Sequence, residues 1–336
     1  MIHDDIHYDM RPARSYNCSF NMVIGPRGPG KTFELTQYCV EQFIKTGAQF
    51  IWVRRYPKEI RVVKSGFFDD MRALDVFPGH ELKMNGTKCM IDGKLAGKLI
   101  ALSTGDDQKS TPTPDVTTIV FDEFILEPGY RHYLPAEVRT FLNLVNSTVR
   151  DRSGWSVWML SNAVTAENPY FAEWDIPTSA FGKKSIVRLD ESHLVQYVRN
   201  EAFEAHMADS QFGRAIAGTE YADYAIANKF TLDTDTFVER KTAAAKYYFT
   251  IRYHGKEYGV YADYETGKLY ISRDADSTFP VRFALTTDDH QPNTLILKGR
   301  RNLYLSNLVN CYAAGALRFD DAKTKAAMRK AISLLR

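Results

Sequence analysis

An α/β fold followed by a smaller α+β module is what this chain predicts, and three observations carry the prediction. A strand-like run, Phe20-Asn-Met-Val-Ile24, opens directly into Gly25-Pro-Arg-Gly-Pro-Gly30-Lys31-Thr32, with helical spacing of apolar residues behind it. A β-branched and aromatic run, Thr117 to Phe121, ends in Asp122-Glu123. After Phe230 the alternation of strand and helix patterns gives way to closely spaced strands and then helices. Strands that end in chemistry and alternate with helices are the signature of a parallel sheet, and the late change of texture marks a second module.

The segment Gly25–Thr32 satisfies every fixed position of G-x-x-x-x-G-K-[ST]. Gly25 and Gly30 permit the tight turn that aims backbone N–H groups at a phosphate, with Pro26, Arg27, Gly28 and Pro29 completing the loop. Lys31 can reach β- and γ-oxygens, and the Thr32 hydroxyl can ligate Mg²⁺. Leu35, Tyr38, Cys39 and Phe43 then lie on one face of a helix over 33–45, whose N-terminus would face the phosphates.

Next comes a short buried strand, Gln49–Val53, closed by Arg54-Arg55. Residues 57–98 read as an insertion in which Asn85-Gly86 and Asp92-Gly93 are hairpin turns. A strand follows at Lys98–Leu102 and a polar, Pro-containing loop at Gly105–Pro114. Pro135 opens a helix to about Thr148 with Val138, Phe141, Leu142 and Val145 on one face. Trp155–Leu160 is a further strand ending at Ser161-Asn162, and Ser192 to about Ala208 has helical spacing. Gln211–Lys229 reads as an irregular connector, Lys246–Tyr253, Glu257–Tyr264 and Lys268–Ser272 as an antiparallel meander, and Leu303–Leu317 and Lys323–Leu335 as helices. The expected domains are 1–200, a connector at 201–228, and 229–336, the last an α+β or RNase-H-like module.

The loop and the acidic strand end explain each other as a P-loop NTPase of the additional-strand, catalytic-glutamate type. Asp122, on a strand expected beside that of the loop, would hold the Mg²⁺ shell of bound ATP, and Glu123 would polarise the attacking water. Asn162 after Ser161 could report the γ-phosphate or simply cap a strand-end turn. Arg150 and Arg152 could supply charge to a transferring phosphoryl group, from a neighbouring subunit in a ring, or be solvated cations at a helix C-terminus. Lys109, in the loop before the acidic strand, Lys58 and Arg27 are weaker candidates for phosphate contact.

Composition limits the class. Of 336 residues, 44% are hydrophobic and 25% charged, which suits a globular chain. No apolar run approaches the ~18 residues of a membrane span, and an opening with three Asp and two His is no signal peptide. Cys18, Cys39, Cys89 and Cys311 have no zinc or disulfide spacing, so an intracellular, reduced protein is expected. Residues 1–228 carry 25 Lys+Arg against 29 Asp+Glu, a balance of −4, and residues 229–336 carry 18 against 12, a balance of +6. A basic second module suggests a polyanion partner. Lys298, Arg300 and Arg301 head its late cluster of cations, which suits phosphate-backbone contacts. Asp263, Asp288, Asp289 and Asp320 lack any fixed metal-ligand spacing and read as solvated carboxylates.

Ordered motifs along nearly the whole chain then show a resemblance. V-I-G-P-R-G-P-G-K (23–31), F-I-W-V-R-R-Y (50–56), I-D-G-K-L-A-G (91–97), T-I-V-F-D-E-F (118–124), L-S-N-A-V (160–164), N-P-Y-F (168–171), G-T-E-Y (218–221), L-T-T-D-D (285–289) and L-R-F-D (317–320) resemble the DNA-packaging ATPases of small tailed bacteriophages of the phi-29 type. The resemblance implies a homopentameric ring at the portal of a procapsid, with a packaging RNA bound there and double-stranded DNA driven inward by ATP hydrolysis. It implies a place in the host cytoplasm, transiently on the procapsid and outside the mature virion. It assigns Arg150 as a finger acting on the next subunit and Lys109 as a second residue acting across that interface. The family's lysine after R-R-Y is displaced here, Pro57 taking its slot and Lys58 following. The second module is implied to be RNase-H-like, nuclease-dead and used for DNA and RNA contacts. Two alternatives stand beside this reading: a large terminase-like motor with a live nuclease, and a nucleic-acid-binding scaffold that uses ATP only to order an assembly.

Overall fold

The computed structural model describes residues 6–104, 114–126, 132–162, 168–174, 176, 186–198, 200–219, 237–296 and 302–333. The chain divides into two compact units, one of residues 1–165 and 179–232, the other of 166–178 and 233–336. Lys109, Lys298, Arg300 and Arg301 lie outside the described residues, as does most of the loop 105–114.

The first unit is built on a nine-stranded mixed sheet. Its elements in chain order are α1 (Arg11–Arg14), β1 (Phe20–Ile24), α2 (Lys31–Thr46), β2 (Gln49–Arg54), α3 (Pro57–Gly66), α4 (Asp69–Ala73), β3 (Leu82–Asn85), β4 (Lys88–Ile91), β5 (Lys94–Ala101), β6 (Val116–Asp122), α5 (Glu137–Val149) and β7 (Ser156–Ser161). After α6 (Pro169–Glu173), which belongs to the second unit, come β8 (Ile186–Arg188), β9 (His193–Tyr197), α7 (Glu201–Asp209) and α8 (Gln211–Ile216). The strand order is β3-β4-β5-β2-β6-β7-β1-β9-β8. The six strands from β5 to β9 in that order are mutually parallel, β4 and β8 run against them next to the two ends of that set, and β3, antiparallel to β4, runs with them at the outer edge. The central strands are buried on both faces, so they read as continuous apolar runs such as Phe50-Ile-Trp-Val53 and Ile119-Val-Phe121.

Three sequence expectations give way here. The acidic strand β6 is not beside β1: β7 lies between them, pairing with both. The helical spacing from Ser192 resolves into strand β9 and only then helix α7, since a short buried apolar run satisfies either period. Residues 57–98, read as an insertion, extend the same sheet beyond β2 through β3, β4 and β5. The hairpin turn there is also shifted by one residue, with Asn85 paired to Lys88 and Gly86-Thr87 forming the loop.

The second unit carries a six-stranded sheet, β14-β13-β10-β11-β12-β15, from β10 (Lys246–Tyr253), β11 (Lys256–Asp263), β12 (Lys268–Ser272), β13 (Arg282–Ala284), β14 (Leu295–Ile296) and β15 (Leu317–Phe319). Helices α9 (Leu303–Ala313) and α10 (Ala322–Ser333) contribute Leu305, Leu308, Met328 and Ile332 to a core with Phe249, Ile251, Val260 and Ile271. The helical pattern expected to run to Leu317 stops at Ala313: Gly315 turns the chain at φ +69, and Leu317–Phe319 pairs with β12. Asp263 and Asp289, expected to be solvated, are buried. Thr242 Oγ1 donates to Asp263 at 2.6 Å together with the N–H groups of Glu265 and Thr266, while the N–H groups of His254 and Gly255 donate to Asp289 at 2.9 and 2.7 Å. Both carboxylates pin hairpin turns.

A candidate phosphate-binding site at the carboxyl edge of the first sheet

Because β1, β2, β6, β7 and β9 are parallel, their last residues share one edge. Ile24 is in register with Ser161 on one side and Tyr197 on the other, and Asp122 with Leu160. The glycine-rich loop, Arg54-Arg55, Asp122-Glu123, Ser161-Asn162 and Val198 therefore converge. Gly28 and Gly30 hold φ of +98 and +89, a region that costs an L side chain strain, which is why glycine stands there. The Gly25 N–H donates to the Ser161 carbonyl at 3.1 Å, rooting the loop on β7.

Lys31 opens α2 and folds back over the loop. Its ammonium donates to the Gly25 carbonyl at 2.9 Å and to that of Pro26. Burial pushes Lys31 down to about 7, Asp122 opposing that shift and Arg27 adding to it. Burial also raises Asp122, with Arg54 and Lys31 pulling it back. Thr32 is exposed on the first turn of α2, and Arg27 is exposed on the loop.

The sequence reading missed three further residues. Arg54, at the end of β2, sets its Nη1 2.8 Å from Glu123 Oε2 and its Nε 3.8 Å from Asp122 Oδ2. Burial lowers its pKa, but Asp122 and Glu123 outweigh burial and the guanidinium is held charged above its ordinary value. Arg55, pointing the other way, pairs with Glu137 through Nε at 2.7 Å and Nη2 at 2.8 Å, both side chains being at most 1% exposed. The only sequence signal for these is a charged pair closing an apolar strand, which does not name its partners.

The remaining candidates separate. Ser161 is structural, its hydroxyl donating to the Ile125 carbonyl, and half-buried Asn162 follows it at the same edge. Arg152 donates to the carbonyls of Val149 and Val116 at 3.2 and 3.1 Å and also to those of Pro114 and Thr148, so it clamps the start of β6. Arg150 is the exposed residue that ends α5, at φ +50. Both stand at the opposite edge of the sheet from Glu123, because α5 runs back along it for 13 residues, about 20 Å. Lys58 is exposed on the first turn of α3.

The loop is flanked by two segments without motif signatures. Tyr8 N–H donates to the Pro29 carbonyl at 2.7 Å, and its buried hydroxyl donates to Gln196 at 2.8 Å. A Cβ on Gly25 would strike Val198 at 2.6 Å, and one on Gly28 would meet the Phe203 ring at 3.0 Å. Asn200 ties these segments together by donating to the Ile6 carbonyl while capping α7.

A buried ammonium, a helix N-terminus, and the hard oxygens of Thr32 and Asp122 form a donor set that fits a polyphosphate with a divalent cation. Comparison with known proteins agrees with that chemistry. A family model described as podovirus DNA encapsidation protein (Gp16) matches residues 2–333. The DNA packaging protein of Bacillus phage phi29 is 37% identical over 317 residues, 94% of this chain and 94% of that protein. The corresponding protein of Bacillus phage B103 is 36% identical over 312 residues, 91% of this chain and 94% of that one. A chain of the bacteriophage Phi-29 viral genome packaging motor assembly superposes with a TM-score of 0.82 at 36% identity, covering 98% of this chain and 100% of that one. The N-terminal domain of the DNA packaging ATPase from bacteriophage phi29 covers 58% of this chain and 98% of its own length at 40% identity, with a TM-score of 0.54.

Proposed function

The chain belongs to the podovirus DNA encapsidation protein (Gp16) family and is a DNA-packaging ATPase, and from that premise we propose how its residues divide the work. The first unit is a P-loop ATPase of the additional-strand type, whose extra strand is β7. Residues Gly25–Thr32 take the phosphates of ATP, Lys31 exchanging its loop carbonyls for phosphate oxygens. Thr32 and Asp122 would hold Mg²⁺, which when bound neutralises phosphate charge. Glu123 is the base that takes the proton of the attacking water, and Asn162 lies where the edge of β7 meets the site.

The observation that carries this reading is the convergence of Lys31, Asp122 and Glu123 on one sheet edge, where the strands that lead into them end. Arg54 adds control. Glu123 serves as base only when its carboxylate is parted from the Arg54 guanidinium, so closure of the site has to break that pair. Arg150 sits at the far edge, which supports a role at the site of another copy and fits a ring and the pentamer of the family resemblance. Lys109 is proposed to act at the same interface.

The second unit is proposed to be an RNase-H-like module that contacts nucleic acid, double-stranded DNA or a packaging RNA, through its basic residues, Lys298, Arg300 and Arg301 among them. Asp263 and Asp289 are consumed in turns, which supports a binding role over metal-dependent cleavage. The motor would act at the procapsid portal. The test is DNA-stimulated ATP hydrolysis by the full chain: stimulation in wild type and its loss in Glu123→Gln supports the assignment, and equal rates contradict it.

A further inference from the structure

Glu123 is held in a backbone conformation it would not choose. Its φ is +60, in the left-handed region that costs a residue with a side chain. That turn takes the carboxylate out of the line of β6 and toward Arg54. Something must hold it, and the bonds around it identify what. Phe124 N–H donates to Leu160 on β7 at 3.2 Å, which fixes the chain just beyond the turn. The carbonyls of Glu123 and Phe124 both accept from one side chain, Arg55, through Nη1 at 3.1 Å and Nη2 at 2.8 Å.

The guanidinium is itself fixed on every side. Glu137 grips it with both oxygens, and the rings of Phe121 and Tyr133 lie 5.5 and 5.1 Å from its Cζ. Glu137 is fixed in turn by the Leu134 N–H at 2.8 Å. Burying such a pair is costly, and apolar residues of similar size often serve stability as well. What they cannot supply is a planar fork that reaches a carboxylate on one side and two consecutive carbonyls on the other.

We infer that Arg55, braced by Glu137, is a positioning residue that sets the direction of Glu123 by holding the backbone of residues 123 and 124 through their carbonyls. The two arginines that close β2 thereby act on different parts of one residue, Arg54 meeting the carboxylate of Glu123 and Arg55 its backbone. The inference rests on the reading of Glu123 as the base. With the fork gone, the 123–124 peptides relax toward ordinary φ and the carboxylate swings away from its place.

The test compares the full chain as wild type, Arg55→Lys, Glu137→Gln, Glu123→Gln and the Arg55→Lys/Glu123→Gln double variant. DNA-stimulated kcat and KM for ATP are measured alongside binding of a fluorescent ATP analogue. Arg55→Lys keeps the charge opposite Glu137 but cannot span two carbonyls. It is expected to lower kcat roughly ten- to a hundredfold, with KM and analogue binding unchanged. In the Glu123→Gln background it should cost nothing further, whereas a merely structural loss would add to both backgrounds. Glu137→Gln is expected to shift kcat in the same direction by less, and it decides the matter if Arg55→Lys does not fold. Wild-type kcat in Arg55→Lys or, failing its folding, in Glu137→Gln overturns the inference while Glu123→Gln keeps its lowered rate. Retained hydrolysis in Glu123→Gln removes the base reading itself, and the role of Arg55 with it.

Discussion

Arg54 Nη1 stands 2.8 Å from Glu123 Oε2, so the proposed base is held by a cation from the neighbouring strand. While that pair stands, one oxygen of the carboxylate is occupied by the guanidinium and is not turned to a water. With Glu123 as the proposed base, hydrolysis waits on what separates the two. Arg54→Gln is expected to raise ATP hydrolysis without DNA and to shrink the ratio of DNA-stimulated to unstimulated rate. Steady-state rates with and without double-stranded DNA check it, and an unchanged ratio removes the gating role.

Glu123→Gln keeps the size and hydrogen-bonding capacity of the side chain but cannot take a proton. The expected outcome is a fall in kcat of roughly a hundred- to ten-thousandfold with ATP binding retained. Single-turnover hydrolysis and equilibrium binding on the same preparation separate the two effects.

Lys31 gives a pH signature. Burial brings its folded pKa to about 7, while an exposed lysine keeps its proton to 10.5. Between those values the unfolded chain holds more protons than the folded one, so the Lys31 contribution to stability rises with pH across that window. Phosphate oxygens favour the ammonium form, so ATP binding should draw a proton from solvent when the free group is neutral. Calorimetry in buffers of different ionisation enthalpy is expected to show uptake of about one proton per site near pH 8 and little near pH 6. Lys31→Met should abolish the difference, if binding is still measurable.

Much of the site was legible because phosphate binding demands particular residues at fixed spacing. Gly25–Thr32 and Asp122-Glu123 could be read directly, and so could the buried strands that present them. Arg55 and Glu137 were illegible, since their meaning lies in a contact 82 positions apart in sequence. Strand β9 was read as helix because His193–Tyr197 is short and buried, and burial of a short segment erases its period. The place of β7 between β1 and β6 was invisible for another reason: strand order comes from how crossover helices pack, and no local pattern records it.

Packing under the site makes a stability prediction. Gly97 on β5 faces Phe50 on β2, and a Cβ there would meet the ring at 2.7 Å. Phe50 is 1% exposed and cannot retreat. Gly97→Ala should destabilise the first unit by about 1–3 kcal/mol, seen as a lower urea midpoint, and should disturb β2 and therefore Arg54-Arg55.

Arg150 tests the ring. It lies at the opposite edge of the sheet from Glu123, so its loss should damage a neighbour's site. Arg150→Ala mixed into wild-type protein is expected to depress ATP hydrolysis more steeply than the mutant fraction. A linear decline means each copy works alone.

The central claim, that this chain converts ATP hydrolysis at Glu123 into DNA packaging, is tested most directly by DNase protection of DNA in procapsids supplied with ATP and either wild-type or Glu123→Gln protein. Protection of full-length DNA by wild type, and its absence with a Glu123→Gln chain that still binds ATP, is the predicted result. Equal protection by the two proteins would contradict it.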